Sequence, residues 1–386
     1  MSERNTLNVR SLRALGLGLM LACGAAWGRL PSEIDKGLLS VVLSEPSKHW
    51  VWVNDVVFQH MSDGMAHLVN GDTGQYLGTL STGFGSAHIL LPRDGRLIFS
   101  PEIYFSRGTR GVRTDIVTIY DAKTLSPVKE IVIPPKRSAN MPTMANAVLT
   151  DDDRFLLIYN FTPAQSVTVV DMKSQTFSHE AETPGCALEY PTGPRSFFSI
   201  CGDGSLALGQ LDETGGVRLS RTGQIFPATK DPVTEKAVRI GNTWYFVSYD
   251  GQIYPVTVAS TGATREPTWW LTTEDERKQG WRPGGLQQLS VDGRSHLYAI
   301  MHQGAVSTHK DPGKTVWVYD VNSHKRIKEL KLNGLASSIQ VTSDDKPLLF
   351  SVFIDSPVLE VYDAANGRFL RAIDQIGTTP TLLVTP

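Results

Sequence analysis

The amino-acid sequence predicts an all-β protein folded as a seven-bladed β-propeller. A hairpin pattern recurs along the 386 residues, a second motif with a charged turn recurs beside it, and no long segment has a helical period. Alternating apolar and polar residues with turn residues between them are typical of antiparallel strands. A repeat of about 40 to 50 residues is the length of a four-stranded blade.

Each hairpin repeat is an alternating strand that ends in a marker residue, followed by a turn and a second alternating strand. Five copies are clear: AHLVNGDTGQYLGTL, VTIYDAKTLSPVKEI, VTVVDMKSQTFSHEA, VWVYDVNSHKRIKEL and LEVYDAANGRFLRAI. Two weaker copies, LALGQLDETGGVRL and IYPVTVASTGATRE, fill the remaining gap. The markers lie 51, 50, 41, 47, 61 and 43 residues apart, and they are Asn70, Asp121, Asp171, Asp212, Ala259, Asp320 and Asp363. Seven markers predict seven blades.

A second motif places a charged turn directly before a buried strand, in LPRDGRLIF, LTDDDRFLL and VTSDDKPLLF. These turns lack the alternating oxygens and closing glutamate of a calcium loop, so no metal site is expected in them. The segment TTEDERKQG is predicted to form one short helix, capped by Thr272 or Thr273. Blades of this kind close into a ring and leave only short edges exposed.

The N-terminus predicts a secretory signal over residues 1–28. Three arginines precede ALGLGLMLACGAAW, an apolar run of 14 residues that is shorter than the ~20 needed to span a bilayer. Residues 29–47 are interpreted as an N-terminal extension, and 48–386 as a single propeller domain. A lipoprotein signal that retains Cys23 as an acylated N-terminus is the alternative.

Cleavage of that signal would leave an even pair of cysteines, Cys186 and Cys201, in an oxidising compartment where a disulfide persists. Two ordinary buried thiols are the alternative. The formal net charge of −2 shows no basic excess that would indicate binding to nucleic acid or to an anionic membrane.

Several motifs occur in the order found in one known family, from about Val51 to the C-terminus. They are SRGTRGVRTDIVTIYDAKTLSP, YNFTPAQSVTVVD, the Cys186/CGDGSL pair, QGWRPGG, His309-Lys310 and SDDKPLL. The chain resembles the large subunit of the tryptophan tryptophylquinone-dependent amine dehydrogenases, the methylamine and aromatic amine dehydrogenase heavy chains. That resemblance implies a seven-bladed propeller, a periplasmic location, and a disulfide between Cys186 and Cys201 that joins neighbouring strands of one blade.

The resemblance also implies a division of labour between two kinds of subunit. Two large and two small chains would form the enzyme, and the small chain would carry the tryptophan tryptophylquinone and the catalytic base. Primary amines would be oxidised to aldehyde and ammonia, and electrons would pass to a blue copper protein of the amicyanin or azurin type or to cytochrome c. This chain would supply a scaffold and part of the substrate channel, with no catalytic, cofactor-binding or metal-binding residue of its own.

One residue of this chain is tied to the active site by the resemblance. Within VNDVVF, Phe58 falls at the position of a family phenylalanine that reaches into the amine channel and influences which amine fits. A phenylalanine suits that role because it presents a large, rigid apolar surface. Methylamine, longer alkylamines and arylalkylamines all remain candidate substrates.

Charged residues beside the second hairpin suggest a local ion-pair network. Arg107, Arg110 and Arg113 precede Asp115, and solvated charges are the alternative interpretation.

The alternative function is a stand-alone secreted propeller, either a binding module or a lactonase-type hydrolase. A hydrolase would need a metal or catalytic cluster in the central tunnel. The nine histidines form no HxH or HExxH motif, which disfavours it.

Overall fold

Seven antiparallel sheets contain nearly all the regular structure of the computed structural model, which describes residues 42–85, 88–259 and 262–386. Blade 1 contains β1 (Trp50–Asp55), β2 (Gly64–Asn70), β3 (Tyr76–Gly83) and the C-terminal β29 (Pro380–Val384). Blade 2 contains β4 (Leu97–Phe105), β5 (Arg113–Asp121) and β6 (Pro127–Ile133). Blade 3 contains β7 (Ala147–Leu149), β8 (Phe155–Asn160), β9 (Ser166–Asp171) and β10 (Thr176–Glu182).

The remaining four blades repeat the same meander. Blade 4 contains β11 (Cys186–Gly193), β12 (Ser196–Cys201), β13 (Leu206–Leu211) and β14 (Val217–Arg221). Blade 5 contains β15 (Val238–Ile240), β16 (Thr243–Val247), β17 (Gln252–Ala259), β18 (Gly262–Arg265) and β19 (Trp269–Trp270). Blade 6 contains β20 (Trp281–Pro283), β21 (Leu289–Val291), β22 (His296–Gln303), β23 (Gly313–Asp320) and β24 (Lys325–Ala336). Blade 7 contains β25 (Ser338–Val341), β26 (Leu348–Phe353), β27 (Ser356–Asp363) and β28 (Phe369–Ile373). The predicted seven-bladed propeller is confirmed.

The two ends of the described chain meet in blade 1. Strand β29 pairs with β1, so the C-terminal strand completes a blade whose other strands come from the N-terminal side. The Asn54 side chain fixes this pairing because its Nδ2 donates to the Leu382 carbonyl oxygen at 3.1 Å. Its Oδ1 accepts from the Ile89 N–H at 3.0 Å, which ties blade 1 to the segment entering blade 2.

The marker residues lie where the sequence places them, at or directly after the end of the strand next to the outermost strand of each blade. The acidic markers cap the turn that follows. The Asp121 carboxylate, for example, accepts from the N–H groups of Lys123 and Thr124 at 3.1 and 2.8 Å. Such side-chain turns satisfy backbone donors that the hairpin leaves unpaired.

The predicted short helix, α1, spans Glu274–Lys278. Thr273 is its N-cap, and it forms a capping box in which the Thr273 Oγ1 accepts from the Glu276 N–H while the Glu276 carboxylate accepts from the Thr273 N–H. Two 3-10 turns, Met61–Asp63 and Met144–Asn146, complete the described helical structure.

The hydrophobic core lies between neighbouring blades. All six residues of β8 and all six of β9 are buried, because both faces of a blade are covered by its neighbours. Tyr190 and Phe198 of blade 4 stack at 4.9 Å, and Phe246 of blade 5 packs against them. The ring is therefore held by side chains that interdigitate from one blade to the next.

Cys186 and Cys201 form a disulfide between the directly paired strands β11 and β12 of blade 4. Their sulfur atoms lie 2.09 Å apart. The bond is thus the intra-blade link that the resemblance implied. The predicted signal segment 1–28, with Cys23, lies outside the described residues, as does the extension up to residue 41.

We expect replacement of both cysteines by serine to lower the free energy of unfolding by about 3 kcal/mol, because the bond closes a loop of 15 residues in the unfolded chain. Urea unfolding of the oxidised wild type and the double variant measures the difference. Wild type under reducing conditions is the control and should unfold like the variant. Equal midpoints for the oxidised protein and the variant would contradict this expectation.

Candidate functional site

One end of the propeller, which we call the upper end, collects the loops that lead into the marker-bearing strand of each blade. In an antiparallel meander these loops lie at the same end as the connections between blades. Contacts support this placement, since the Gly85 N–H donates to the Met61 carbonyl oxygen at 3.0 Å. The loops are residues 56–63, 106–112, 161–165, 202–205, 248–251, 304–312 and 354–355.

Phe58 lies in the first of these loops, directly after β1. The residue is 39% exposed, so part of it faces the surface of the upper end. Three further upper-end loops also display a large apolar side chain, at Val112, Phe161 and Val306. Exposed apolar residues also occur elsewhere on the chain, for example at Val132 and Phe369, so these four mark the upper end as a candidate contact surface only together with other features.

The backbone in front of Phe58 has an unusual conformation. Val57 has a φ of +51°, in the left-handed region that a β-branched residue rarely adopts. A residue held there costs about 1 to 3 kcal/mol and persists only where surrounding contacts impose it. Here the Asp55 carboxylate imposes it, because Oδ1 accepts from the Val57 N–H at 3.0 Å.

The same carboxylate binds the segment between β28 and β29, residues 374–379, which we call the closing connection. Asp55 accepts from the Thr378 N–H at 2.5 Å and from the Thr379 N–H at 2.9 Å. The Thr379 Oγ1 donates to Asp55 Oδ1 at 3.1 Å and accepts from the Phe58 N–H at 3.0 Å. The closing connection therefore touches Phe58 directly.

Asp55 is a buried anion that is well compensated. Burial would raise its pKa, but interactions with the His67 side chain and with the backbone N–H groups of Thr378, Thr379 and Val57 outweigh burial and lower the pKa to about 2. The His67 Nε2 lies 3.8 Å from Asp55 Oδ2. The carboxylate is thus ionised throughout the physiological range, which suits a permanent structural acceptor.

The predicted ion-pair network is formed only in part. Arg113 makes a bidentate pair with the buried Asp115, with both nitrogen–oxygen distances at 2.6 Å. Arg107 and Arg110 are exposed, and in the described ranges no carboxylate pairs with either. Two unpaired cations therefore lie on the upper end, in the loop that also carries Val112.

A cavity of about 250 Å³ is lined by residues of blades 3 to 7 and of the segments that lead into β7, β15 and β21. Its wall is formed by the innermost strands of several blades and includes Val148, Glu189, Val238, Leu289 and Gln340. Phe58 does not line it. Most of the wall surface is apolar, but four charged residues also line it: Glu189, Glu235, Lys236 and Arg239.

Glu189 is fully buried, and a bulge in β11 places it opposite Ser199. Leu188 and Glu189 together face that single residue of β12, and Leu188 has a φ of +65°. The Ser199 Oγ is 2.9 Å from one carboxyl oxygen, while the other has no hydrogen-bond partner among the described residues. Burial raises the pKa of Glu189 well above its ordinary value, with the Ser199 hydrogen bond acting against that change.

We expect Glu189→Gln to stabilise the protein increasingly as pH rises. Because the pKa of Glu189 is raised in the folded state, the folded chain binds this proton more tightly than the unfolded chain. The free energy of unfolding of the wild type therefore falls as pH rises above the pKa of Glu189 in the unfolded chain, which is ~4. It falls by about 1.4 kcal/mol per pH unit until the pH reaches the pKa of Glu189 in the folded chain. Urea unfolding at pH 5 and pH 8 measures it, with the exposed Glu182→Gln as control. A constant difference between Glu189→Gln and wild type across this range would contradict the expectation.

No group of three or more His, Cys, Asp or Glu side chains in the described part of the chain is arranged to hold a metal ion. The acidic turn at 150–153 has structural partners, since Asp151 pairs with Arg239 at 2.7 Å. No helix of the described residues is long and apolar enough to cross a bilayer.

Phe58 was singled out in the sequence by the family resemblance, whereas Asp55, Thr379 and Glu189 were not singled out. The Phe58–Thr379 bond joins residues 321 positions apart, and no local pattern signals such a contact. Glu189 interrupts the apolar run of β11, which is a weak signal that a strand carries a functional or buried polar group.

Comparison with known proteins places the whole propeller in one family. The model of the methylamine dehydrogenase heavy chain (MADH) family matches residues 47–386. The methylamine dehydrogenase heavy chain of Methylophilus methylotrophus is 31% identical over 387 residues, which cover 96% of this chain and 93% of that protein. The corresponding heavy chain of Paracoccus versutus is 32% identical over 324 residues, which cover 82% of this chain and 75% of that protein.

Solved structures agree on the architecture. A putative 6-phosphogluconolactonase from Bacteroides fragilis NCTC 9343 superposes with a TM-score of 0.60 over 87% of this chain and 97% of its own, at 12% identity. At that identity the likeness shows the fold alone. The family match is stronger evidence than these structural similarities, because residues 47–386 include every blade described above. The chain belongs to the methylamine dehydrogenase heavy chain family and is the large subunit of an amine dehydrogenase.

Proposed function

We propose that this chain works in a periplasmic quinoprotein enzyme that oxidises primary amines to aldehyde and ammonia. The observation that carries the proposal is the family match over residues 47–386, which spans the complete ring. The chain acts as a scaffold for a smaller partner chain and lines part of the amine channel. A blue copper protein or cytochrome c accepts the electrons.

The tryptophan tryptophylquinone belongs, in this proposal, to the partner chain. A quinone built from two tryptophans needs their rings in contact and open to the amine. Here Trp281 and Trp317 lie 5.0 Å apart, but Trp317 is buried and the Arg326 guanidinium stacks on its ring at 3.9 Å. These rings suit core packing and not a site that an amine must enter. This supports placing the quinone on the small chain, where it supplies the electron sink for amine oxidation.

The upper end is the surface we assign to the small subunit. It carries Phe58, Phe161 and Val306 as exposed apolar side chains and Arg107 and Arg110 as unpaired cations. Aromatic and arginine side chains are enriched at stable protein interfaces. Docking there would bury the apolar side chains and leave the arginines to pair with acidic groups of the small chain.

Phe58 borders the amine channel in this arrangement. Its ring projects from a loop whose backbone is fixed at Val57 and at Phe58 itself, so the ring has a defined position at the surface. A rigid ring at a channel wall limits the size of the amine without competing for the ammonium group.

Secretion is also part of the proposal. The predicted signal of residues 1–28 would direct the chain to the periplasm and would be removed there with Cys23. The Cys186–Cys201 disulfide supports an oxidising compartment.

Co-expression tests the proposed function. The adjacent reading frames are searched for a short, cysteine-dense polypeptide, which is produced together with this chain, and amine-dependent dye reduction is measured in the periplasmic fraction. Activity with a primary amine supports the proposal. A fully assembled complex with no activity on any primary amine would refute it. The rival lactonase-type or stand-alone propeller would instead hydrolyse a lactone or bind its ligand without any partner.

A further inference from the structure

The contact between the closing connection and the Phe58 loop links the closure of the ring to the proposed amine channel. Asp55 and Thr379 hold both segments at once, one from each end of the described chain. We infer that Thr379, oriented by Asp55, is a positioning residue that sets the location of the Phe58 ring and so helps to determine which amines the enzyme prefers. This inference rests on the proposed channel role of Phe58.

The first support is the strained backbone at Val57. A left-handed β-branched residue relaxes toward the extended region unless its neighbours prevent it. Relaxation at Val57 would change the direction in which the next residue projects. The Val57 N–H donates to Asp55 and the Phe58 N–H donates to Thr379. These two hydrogen bonds keep Val57 in its left-handed conformation, and that conformation sets the direction of Phe58.

The second support is how closely the closing connection approaches Asp55. Gly377 has a φ of +74°, and a Cβ at this position would come within 2.3 Å of Asp55 Oδ2. Only glycine allows both the conformation and the approach. The connection is thus shaped to bring Thr378 and Thr379 onto the carboxylate.

The third support is that the Thr379 hydroxyl lies between the Asp55 carboxylate and the Phe58 N–H. Its oxygen donates to Asp55 at 3.1 Å and accepts from Phe58 at 3.0 Å, and the residue is 2% exposed. A buried hydroxyl with one donor and one acceptor partner has a fixed hydrogen direction. The ionised Asp55 therefore orients the hydroxyl so that its lone pair faces the Phe58 N–H.

The central variant is Thr379→Val, which keeps the branched shape and removes the hydroxyl. Thr379→Ser restores the hydroxyl and is the rescue variant. Ser338→Ala is the matched control, because the Ser338 Oγ donates at 2.5 Å to the carbonyl oxygen of Thr381, two residues after Thr379, and makes no hydrogen bond to the Phe58 loop. Phe58→Ala is measured in parallel to report the channel role independently.

The position of the Phe58 ring is measured independently of enzyme activity. In the two-subunit enzyme, 4-fluorophenylalanine is placed at position 58, and its fluorine NMR signal is recorded in each background. We expect Thr379→Val to shift or broaden the signal, while Thr379→Ser and Ser338→Ala leave it unchanged. An unchanged signal in Thr379→Val would overturn the inference.

Selectivity is followed as the ratio of kcat/KM for phenylethylamine to that for methylamine. Loss of one backbone hydrogen bond predicts a change of about threefold to tenfold in Thr379→Val, in the same direction as Phe58→Ala and no larger, with Thr379→Ser near wild type. If Thr379→Val moves the Phe58 ring but leaves the kcat/KM ratio unchanged, while Phe58→Ala changes that ratio, then the position of the ring does not determine selectivity and the inference is refuted. If Phe58→Ala also has no effect, the proposed channel role fails, and the inference fails with it.

Discussion

Expressed and purified alone, this chain is expected to fold as a propeller and to show no amine oxidation and no quinone absorbance. The physical reason is that the tryptophan pair with rings in contact, Trp281 and Trp317, suits packing and not catalysis, because Trp317 is buried under Arg326. Addition of the small partner chain with its mature quinone should raise activity from background to that of the assembled enzyme. Dye reduction with a primary amine measures both states.

The control for this experiment is the fold of the isolated chain. Circular dichroism and an intact Cys186–Cys201 bond should show that inactivity is not caused by misfolding. Amine oxidation by the folded single chain would contradict the division of labour between the two subunits.

The second large effect is expected from Phe58→Ala in the assembled enzyme. Removing the ring opens space at the proposed channel wall and should favour bulkier amines over methylamine by at least about tenfold in kcat/KM. One methylene in an apolar pocket already discriminates by ~1 to 3 kcal/mol, and a ring is larger. Steady-state kinetics on a series from methylamine to phenylethylamine measures the change.

Phe161→Ala is the matched control for that substitution. Phe161 is an exposed phenylalanine in another upper-end loop, and the proposal gives it no place in the channel. Its substitution should leave the preference unchanged. If Phe58→Ala loses activity on every amine to the same extent, the substitution has caused a packing defect. If the relative kcat/KM values are unchanged, Phe58 has no role in the channel and serves only the interface with the small subunit.

The architecture was predictable because a propeller repeats local signals. Each hairpin carries its own strand alternation, and each acidic marker such as Asp121 caps its turn through contacts two or three residues away. The helix cap at Thr273 is equally local. Local patterns of this kind can be counted from sequence, and the count gives the number of blades.

The details of the site were less predictable because they depend on closure of the ring. Asp55 gives no sign in the sequence that it will bind residues 378 and 379, and Thr379 gives none that it will hold Phe58. The left-handed Val57 is held by Asp55 two residues away, but that carboxylate is itself held by the distant residues 378 and 379, and local propensity would favour an extended residue at Val57. The paired Arg113 and the exposed Arg107 could not be distinguished from sequence, because burial of Asp115, which also accepts from the Arg137 N–H, has no local signal.

The central claim is that this chain is the cofactor-free large subunit of an amine dehydrogenase, and the location of the quinone tests it most directly. The active complex is purified, its subunits are separated under denaturing conditions, and each is stained for quinone and examined by mass spectrometry. We predict that quinone and crosslinked tryptophans occur only in the small chain, in a complex of two large and two small subunits. Quinone on this chain, or an active complex that lacks a small chain, would contradict the account.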